Sequence, residues 1–191
     1  NVRHNMNFSL IICIYMRPQP LLRLLQSVKE QTLYPNTILI IDGSTDELTE
    51  AVLKANTFKN VSYYKVDEAN RGLTKQRNYG INLVNDNIEI ICFLDDDTIL
   101  RPNYFEVLMD TYNFYYDGWQ RTEPSRFRIR RIFGLLPDAK PGFMPSFSHG
   151  RSVSFLPPSG KIYPVEQLMG GVASYRKKVF DTLSFSNYFE G

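Results

Sequence analysis

Apolar positions fall along this chain in two alternating rhythms. Short runs recur at Phe8-Ser-Leu-Ile-Ile-Cys-Ile-Tyr15, Thr37-Ile-Leu-Ile-Ile41, the more polar Val61-Ser-Tyr-Tyr-Lys-Val66, and Ile88-Glu-Ile-Ile-Cys-Phe-Leu94. Runs this short, rich in β-branched and aromatic residues and bounded by turn-like sequence, predict strands. Their near-continuous apolarity predicts strands covered on both faces, with the Val61–Val66 strand nearer the sheet edge. Between them the spacing turns helical. Leu21, Leu24, Leu25 and Val28 predict a helix to about Gln31, and Leu48, Ala51, Val52 and Ala55 mark the apolar face of a second. Ser44-Thr-Asp-Glu47 reads as a capping box for that second helix. Gly72 and Thr74 open a third, to about Asn85, and Asn103-Tyr-Phe-Glu106 caps a fourth, to about Tyr115. Strands alternating with helices in this way predict βαβ units and a mostly parallel α/β sheet flanked by helices.

After Tyr116 the rhythm is lost. Arg126-Phe-Arg-Ile-Arg-Arg131 alternates like a strand with one basic face, and residues 134–164 are broken by prolines and glycines. Met169-Gly-Gly-Val-Ala-Ser-Tyr175 returns to a strand pattern, with a short helix expected from Arg176. A chain of 191 residues, 43% hydrophobic and 22% charged, fits one ordinary globular domain. No apolar run approaches the ~20 residues that span a bilayer, and no leader peptide is visible, so a cytoplasmic location is expected. Net charge is +2, but residues 1–100 hold 10 Lys/Arg against 12 Asp/Glu, and residues 101–191 hold 12 against 8. The basic back half hints at an anionic partner; no nucleic acid is expected. Cys13 and Cys92 fall in predicted buried strands without metal-site spacing, and are read as free thiols.

Candidate chemistry gathers at the strand ends: Tyr15-Met16-Arg17 after the first, Asp42 after the second, and Asp95-Asp96-Asp97 after the fourth. In a parallel sheet these ends share one edge, the edge where open α/β sheets bind ligands. Three adjacent carboxylates repel one another and call for a positive partner. A hard cation such as Mn²⁺ or Mg²⁺, bridging carboxylate to phosphate, suits them. A solvated acidic loop is the plain alternative, against which the flanking Leu94 and Ile99 argue; for Asp42 the alternative is a helix cap. In Asn70-Arg-Gly-Leu-Thr-Lys-Gln-Arg77-Asn78-Tyr-Gly80, three cations surround a helix start, where free N–H groups already favour anions. An exposed first turn is the alternative there. Gly72 reads as a turn residue and Gly80 as a close-packing one.

Together these pieces resemble the family 2 glycosyltransferases, which have the GT-A nucleotide-sugar-binding fold. The resemblance runs from about Ser9 to the end of the chain. It is carried by Gln31-Thr32, Ile41-Asp42-Gly-Ser-Thr-Asp46, Asn70-Arg-Gly72, Gln76-Arg77-Asn78-Tyr-Gly80, Phe93-Leu-Asp95-Asp-Asp97, and Gly170-Gly171 with Tyr175-Arg176, in the family's order. It implies a single GT-A domain over residues 1–191: a nucleotide-binding half at about 8–116 and an acceptor-side half at about 117–191, C-terminally incomplete. It implies that Tyr15 and Asp42 meet the nucleotide base, usually uracil. Arg77 would lie near base or phosphates, and Asp96 near the ribose. Asp95 and Asp97 would form the D-x-D pair on Mn²⁺ or Mg²⁺, with Asp97 the direct ligand. Gly170, Gly171 and Arg176 would line the acceptor side.

The activity so implied is metal-assisted transfer, with inversion, of a sugar from a nucleotide-diphosphate sugar, first of all a UDP-sugar. The acceptor would be a saccharide or a lipid-linked molecule, in building cell-envelope polysaccharide. The general base, an Asp of a Glu-Asp pair, is expected beyond Gly191; Glu190 does not match its position. The chain departs from the family with Ile14-Tyr15-Met16 where Thr-Tyr-Asn is common, and with the single Asp42 where two acids are common.

Other readings remain open. Phe93-Leu-Asp95-Asp-Asp97-Thr-Ile-Leu also looks like the nucleophile motif of haloacid-dehalogenase-type phosphatases. Ile99 stands where that family has threonine, however, and no acidic pair follows Asp97. A non-catalytic nucleotide-binding or interaction module of the same fold is the other. The Arg126–Arg131 segment suits a lipid-linked diphosphate or an anionic membrane surface, hence peripheral association. It suits equally an edge strand guarded by charge. His149, in a Gly/Ser-rich loop, is a candidate contact for acceptor or metal, and Trp119 and the Tyr112–Tyr116 cluster are the candidate sugar-stacking residues.

Overall fold

The computed structural model describes residues 6–116 and 172–186. Its elements are β1 (Phe8–Ile14), α1 (Pro18–Lys29), β2 (Thr37–Asp42), α2 (Leu48–Lys54), β3 (Val61–Lys65), α3 (Leu73–Asn82), β4 (Ile90–Leu94), α4 (Tyr104–Tyr116) and β5 (Val172–Arg176). Two 3-10 turns, Glu68–Asn70 and Lys177–Asp181, complete them. The strands form one sheet in the order β3-β2-β1-β4-β5. The first four are parallel, and β5 runs antiparallel to β4, with Val172 opposite Leu94 and Arg176 opposite Ile90. The chain therefore starts at the centre, winds outward to β3, then crosses over β1 to place β4 on its other side.

Strand alternation sends successive side chains to opposite faces, and both faces here are packed. Phe8, Leu10, Ile12, Ile38, Ile40, Ile90, Cys92 and Leu94 meet Leu21, Leu24, Leu25 and Val28 of α1 and Phe105 and Met109 of α4. Ile11, Leu39, Ile41, Ile91 and Phe93 form the opposite face, against which Tyr79 and Ile81 of α3 and the rings of Tyr175, Phe180 and Phe185 pack. Fully burying one such aliphatic side chain contributes about 1.5–3 kcal/mol relative to exposure. Gly80 lets α3 approach this second face: a Cβ there would lie 2.9 Å from Ile11 Cγ2. Gly72, at φ 120°, supplies the turn into α3. Both cysteines are free.

Two local expectations fail. The capping box at Ser44–Glu47 does not form. The Ser44 hydroxyl accepts the Met16 N–H at 2.8 Å, the Ser44 N–H is taken by Asp42 Oδ1, and the Leu48 N–H goes to Asp46 Oδ1. Nor do Leu48, Ala51 and Ala55 form an inner face: they are exposed, while Thr49 is buried and Leu53 packs on the core. Helix α4 takes its Phe105 N–H bond from outside, at Gln31 Oε1, and Gln31 Nε2 donates to the Arg101 carbonyl at 2.7 Å. The buried Gln31 thus fastens the end of α1 to the start of α4. Among the described residues, no helix is long and apolar enough to cross a membrane.

Candidate functional site

Strands β1, β2 and β4 end at one edge, because Ile14 lies opposite Asp42 and Ile12 opposite Leu94. The loops after β1 and β4 therefore flank the point where the strand order reverses, the position at which open α/β sheets form a ligand crevice.

The first of these loops is held in an uncommon shape. Met16 has a left-handed backbone, φ 56°, which non-glycine residues adopt at a cost. The Ser44 hydroxyl secures it by taking the Met16 N–H. Ser44 is placed in turn by Asp42, whose Oδ1 accepts the Ser44 N–H at 2.7 Å and whose Oδ2 accepts the Tyr63 hydroxyl at 2.8 Å. Asp42 is 0% exposed, so its carboxylate shapes the turn from beneath. Gln76 of α3 ties the two strand ends together: its Nε2 donates to the carbonyls of Ile14 at 3.1 Å and Ile41 at 2.7 Å. Arg71 Nε donates to the Gly43 carbonyl at 2.8 Å. Gly43 leaves room for Gln76: a Cβ would sit 3.1 Å from Gln76 Oε1, and that side chain would have to give by a few tenths of an ångström.

The acidic triple after β4 meets a cation on each side. Arg17 bridges two members, Nη1 to Asp96 Oδ1 at 2.7 Å and Nη2 to Asp97 Oδ2 at 3.1 Å. Arg77 reaches Asp95 Oδ1 at 3.5 Å from the α3 side. Its side chain is only 8% exposed, and its guanidinium carbon lies 5.5 Å from the Phe93 ring centre and 5.4 Å from that of Phe185. Burial pushes the Asp95 carboxyl above the usual carboxylate range; Arg77 and Arg17 pull it back, and Asp97 adds to the rise. Asp96 is raised likewise, by burial first, with Arg17 opposing and Asp97 and Asp95 reinforcing. Confined carboxylates of this kind gain from any further positive charge.

Tyr15, Asp42, Arg77, Asp95, Asp96 and Asp97 thus share one edge of the sheet. Arg176 does not join them. It pairs with Ile90 at the start of β4, about 16 Å of strand away from the first of the acids, and its guanidinium lies 5.3 Å from the Tyr112 ring centre. Antiparallel pairing of β5 carries Arg176 to the far edge. Gly170, Gly171, Trp119, His149 and the Arg126–Arg131 segment lie outside the described residues. Arg17 and Gln76 stand within stretches that the sequence singles out, but the ion pairs of Arg17 and the strand-tying role of Gln76 are not expected from it. For Arg17 a signal existed, since three carboxylates need cations and Arg17 follows a strand end on the same edge. For Gln76 the signal was its place in the Gln76-Arg77-Asn78-Tyr-Gly80 motif, which does not reveal its acceptors.

Among the described residues, no group of three or more His, Cys, Asp or Glu is arranged to hold a metal by itself. The donor set fits an ion that brings its other ligands along. Asp95 and Asp97 keep 47% and 57% of their side chains exposed, whereas Asp96 is turned inward to Arg17. Mg²⁺ and Mn²⁺ are commonly bound by one or two carboxylates, with phosphate and water completing the shell.

The open, mostly parallel sheet with helices on both faces is of the α/β class, and its fold is GT-A, that of several solved glycosyltransferases. S. aureus TarS 1–349 in complex with UDP-GlcNAc matches with a TM-score of 0.51 and 20% identity, over 62% of this chain and 37% of that one. The mannosyltransferase PcManGT from Pyrobaculum calidifontis, in complex with GDP-Man and Mn²⁺, matches at 0.50 and 20% identity, over 60% and 33%. Residues 9–180 match the model of Glycosyl transferase family 2, and the chain belongs to that family. The phosphatase resemblance of Phe93–Leu100 is thereby set aside. Among curated relatives, the glucosyl-dolichyl phosphate glucuronosyltransferase of Haloferax volcanii is 28% identical over 110 residues, 56% of this chain and 34% of the relative. The O-antigen chain rhamnosyltransferase RfbN of Salmonella typhimurium is 33% identical over 99 residues, 51% and 30%. The chain spans about a third of the length of these relatives.

Proposed function

We propose that this chain forms the donor-binding part of a glycosyltransferase that moves a sugar from a nucleotide-diphosphate sugar, first of all a UDP-sugar, to a saccharide or lipid-linked acceptor with inversion. One observation carries the reading: in a family 2 chain, Asp95, Asp96 and Asp97 sit at the sheet's switch point, gripped from two sides by Arg17 and Arg77. The exposed Tyr15 and the turn shaped by Asp42 take the base, Asp96 the ribose, and Arg77 the phosphates. Asp97, with Asp95, holds Mn²⁺ or Mg²⁺. A bound ion supplies Lewis-acid stabilisation of the diphosphate leaving group. Arg17 and Arg77 add fixed positive charge where negative charge develops, in surroundings that need no reorganisation at that moment. The complexes of TarS with UDP-GlcNAc and of PcManGT with GDP-Man and Mn²⁺ support the donor class and the metal. The names of the Haloferax and Salmonella relatives support a lipid-linked or polysaccharide acceptor; a lipid-linked acceptor would place the chain at the inner face of a membrane. Gly170, Gly171 and Arg176 line the acceptor side, Arg176 from the edge away from the acids. No described residue is assigned as general base. We keep residues 1–191 as one domain, its donor half at about 8–116.

The test is a thermal-shift and calorimetric titration with UDP, GDP and dTDP, each with Mn²⁺ and with EDTA, on this chain and on Asp97→Ala. A nucleotide that binds the folded state at about 100 times its Kd adds roughly 2.7 kcal/mol of stability. One nucleotide is expected to stabilise with metal, and to lose that effect with EDTA or in Asp97→Ala. No stabilisation by any nucleotide with metal present would leave only a non-catalytic module of this fold.

A further inference from the structure

Three consecutive residues of α3 do three different jobs. Gln76 ties strand ends, Arg77 reaches Asp95, and Asn78 holds the chain that follows β5. Asn78 Nδ2 donates to the Phe185 carbonyl at 2.9 Å, and Asn78 Oδ1 accepts the Phe185 N–H at 2.9 Å. A side-chain amide that takes both backbone groups of one residue imitates a strand pairing and fixes that residue. Phe185 is the one residue between Asp181 and Ser186 that is not exposed. The segment comes in to deliver this single ring. The ring packs edge-on to Phe93, with centres 5.3 Å apart, and beside Phe180 at 5.9 Å. Upstream, Lys177 pins the same segment, its Nζ to Asp86 Oδ1 at 2.8 Å and its N–H to the Glu89 carbonyl at 2.8 Å.

Arg77 lies against the result. Its nearly buried guanidinium has lost most of its hydration, and the ring faces of Phe93 and Phe185 compensate through cation–π attraction. Two rings confine the plane of the guanidinium, so fewer rotamers remain to be frozen when an anion binds. We propose that Asn78 and Phe185 are positioning residues for Arg77: the clasp sets Phe185 over the guanidinium, which is left aimed at Asp95. The functional consequence rests on the donor-site reading. Binding of a nucleotide diphosphate and docking of residues 177–186 then favour one another, and the coupling is reciprocal.

The test uses ¹⁵N-labelled chain and the Arg77 Nε–Hε resonance, followed by calorimetry with UDP and with GDP, each with Mn²⁺. Ring currents displace that resonance in the wild type. Phe185→Leu and Asn78→Ala are expected to return it to the position of an unstacked arginine, while Phe185→Tyr keeps the displacement. The same two variants should weaken nucleotide binding by about 3- to 10-fold, with Phe185→Tyr restoring it. In an Arg77→Gln background, Phe185→Leu should add nothing, because the two act through one contact. A resonance unmoved by Phe185→Leu overturns the proposal, as does an equal loss of affinity with and without Arg77. If the resonance behaves as expected but neither nucleotide binds the wild type, the donor-site reading falls and the positioning of Arg77 stands.

Discussion

Arg17 answers two carboxylates with one guanidinium, and the two answers differ in weight. The Asp97 contact is open to water, and exposed pairs contribute about 0–1 kcal/mol. The Asp96 contact is not: that side chain is 7% exposed, and a buried charge without its partner is costly. Arg17→Gln is therefore expected to lower the denaturant midpoint of the chain at neutral pH. Adding Asp96→Asn to that variant should recover part of the loss, since the uncompensated charge goes with it. An unchanged midpoint would show Asp96 to be solvated without Arg17. The acids themselves were legible in the sequence because an apolar strand that ends in three carboxylates is a local pattern. Their partner was not, because Arg17 and Asp96 are 79 positions apart. Gln76 was hidden for the same reason: its acceptors lie 62 and 35 positions away.

At the scale of elements, periodicity succeeds where it has room. The 12 residues of α1 show their buried stripe plainly, and Leu21, Leu24, Leu25 and Val28 are all inside. The 7 residues of α2 do not. Two turns hold too few positions to fix a face, so the exposed Leu48 misled and the buried Thr49 went unseen. The Ser44 box failed through competition, since its hydroxyl serves the Met16 turn instead. Glycine was the better guide. Gly80 read as a close-packing residue and is one, because α3 lies too near Ile11 and Ile41 for a methyl group. Gly80→Ala must displace either α3 or the Ile11 side chain, and is expected to cost about 1–3 kcal/mol by overpacking, despite the better helix propensity of alanine. Chemical denaturation measures it. An unchanged or raised midpoint would mean that the Ile11 side chain moves aside freely.

The whole sheet was readable as a class, because strands alternating with helices admit few arrangements. The direction of β5 was not readable, because it depends on where the intervening chain returns. The two thiols report on the assembled layers together. Cys92 packs in the face covered by α1 and α4, and Cys13 in the face covered by α3. Burial pushes both thiols up to about 12; for Cys13, Arg77 opposes the rise and Asp95 adds to it. A raised thiol value favours the folded state below the ordinary value of 9.0, and that contribution is lost as pH climbs from there toward about 12. Stability should therefore fall across that alkaline interval. Below it, iodoacetamide at about pH 8 should label neither cysteine of the native chain and both of the unfolded one, as mass spectrometry can show. Labelling of one thiol alone in the native chain would mean that its layer opens separately.

The antiparallel β5 also carries a consequence in time. Synthesis proceeds from the N-terminus, and β4 is complete at Leu94, whereas β5 begins at Val172. At about 5–20 residues per second, β4 waits roughly 4–16 seconds on the ribosome for its outer neighbour. Through that interval its outer backbone is an unpaired strand edge, open to pairing with another nascent chain. The acidic edge of the sheet is made early, and of the described strands the one beside β4 arrives last.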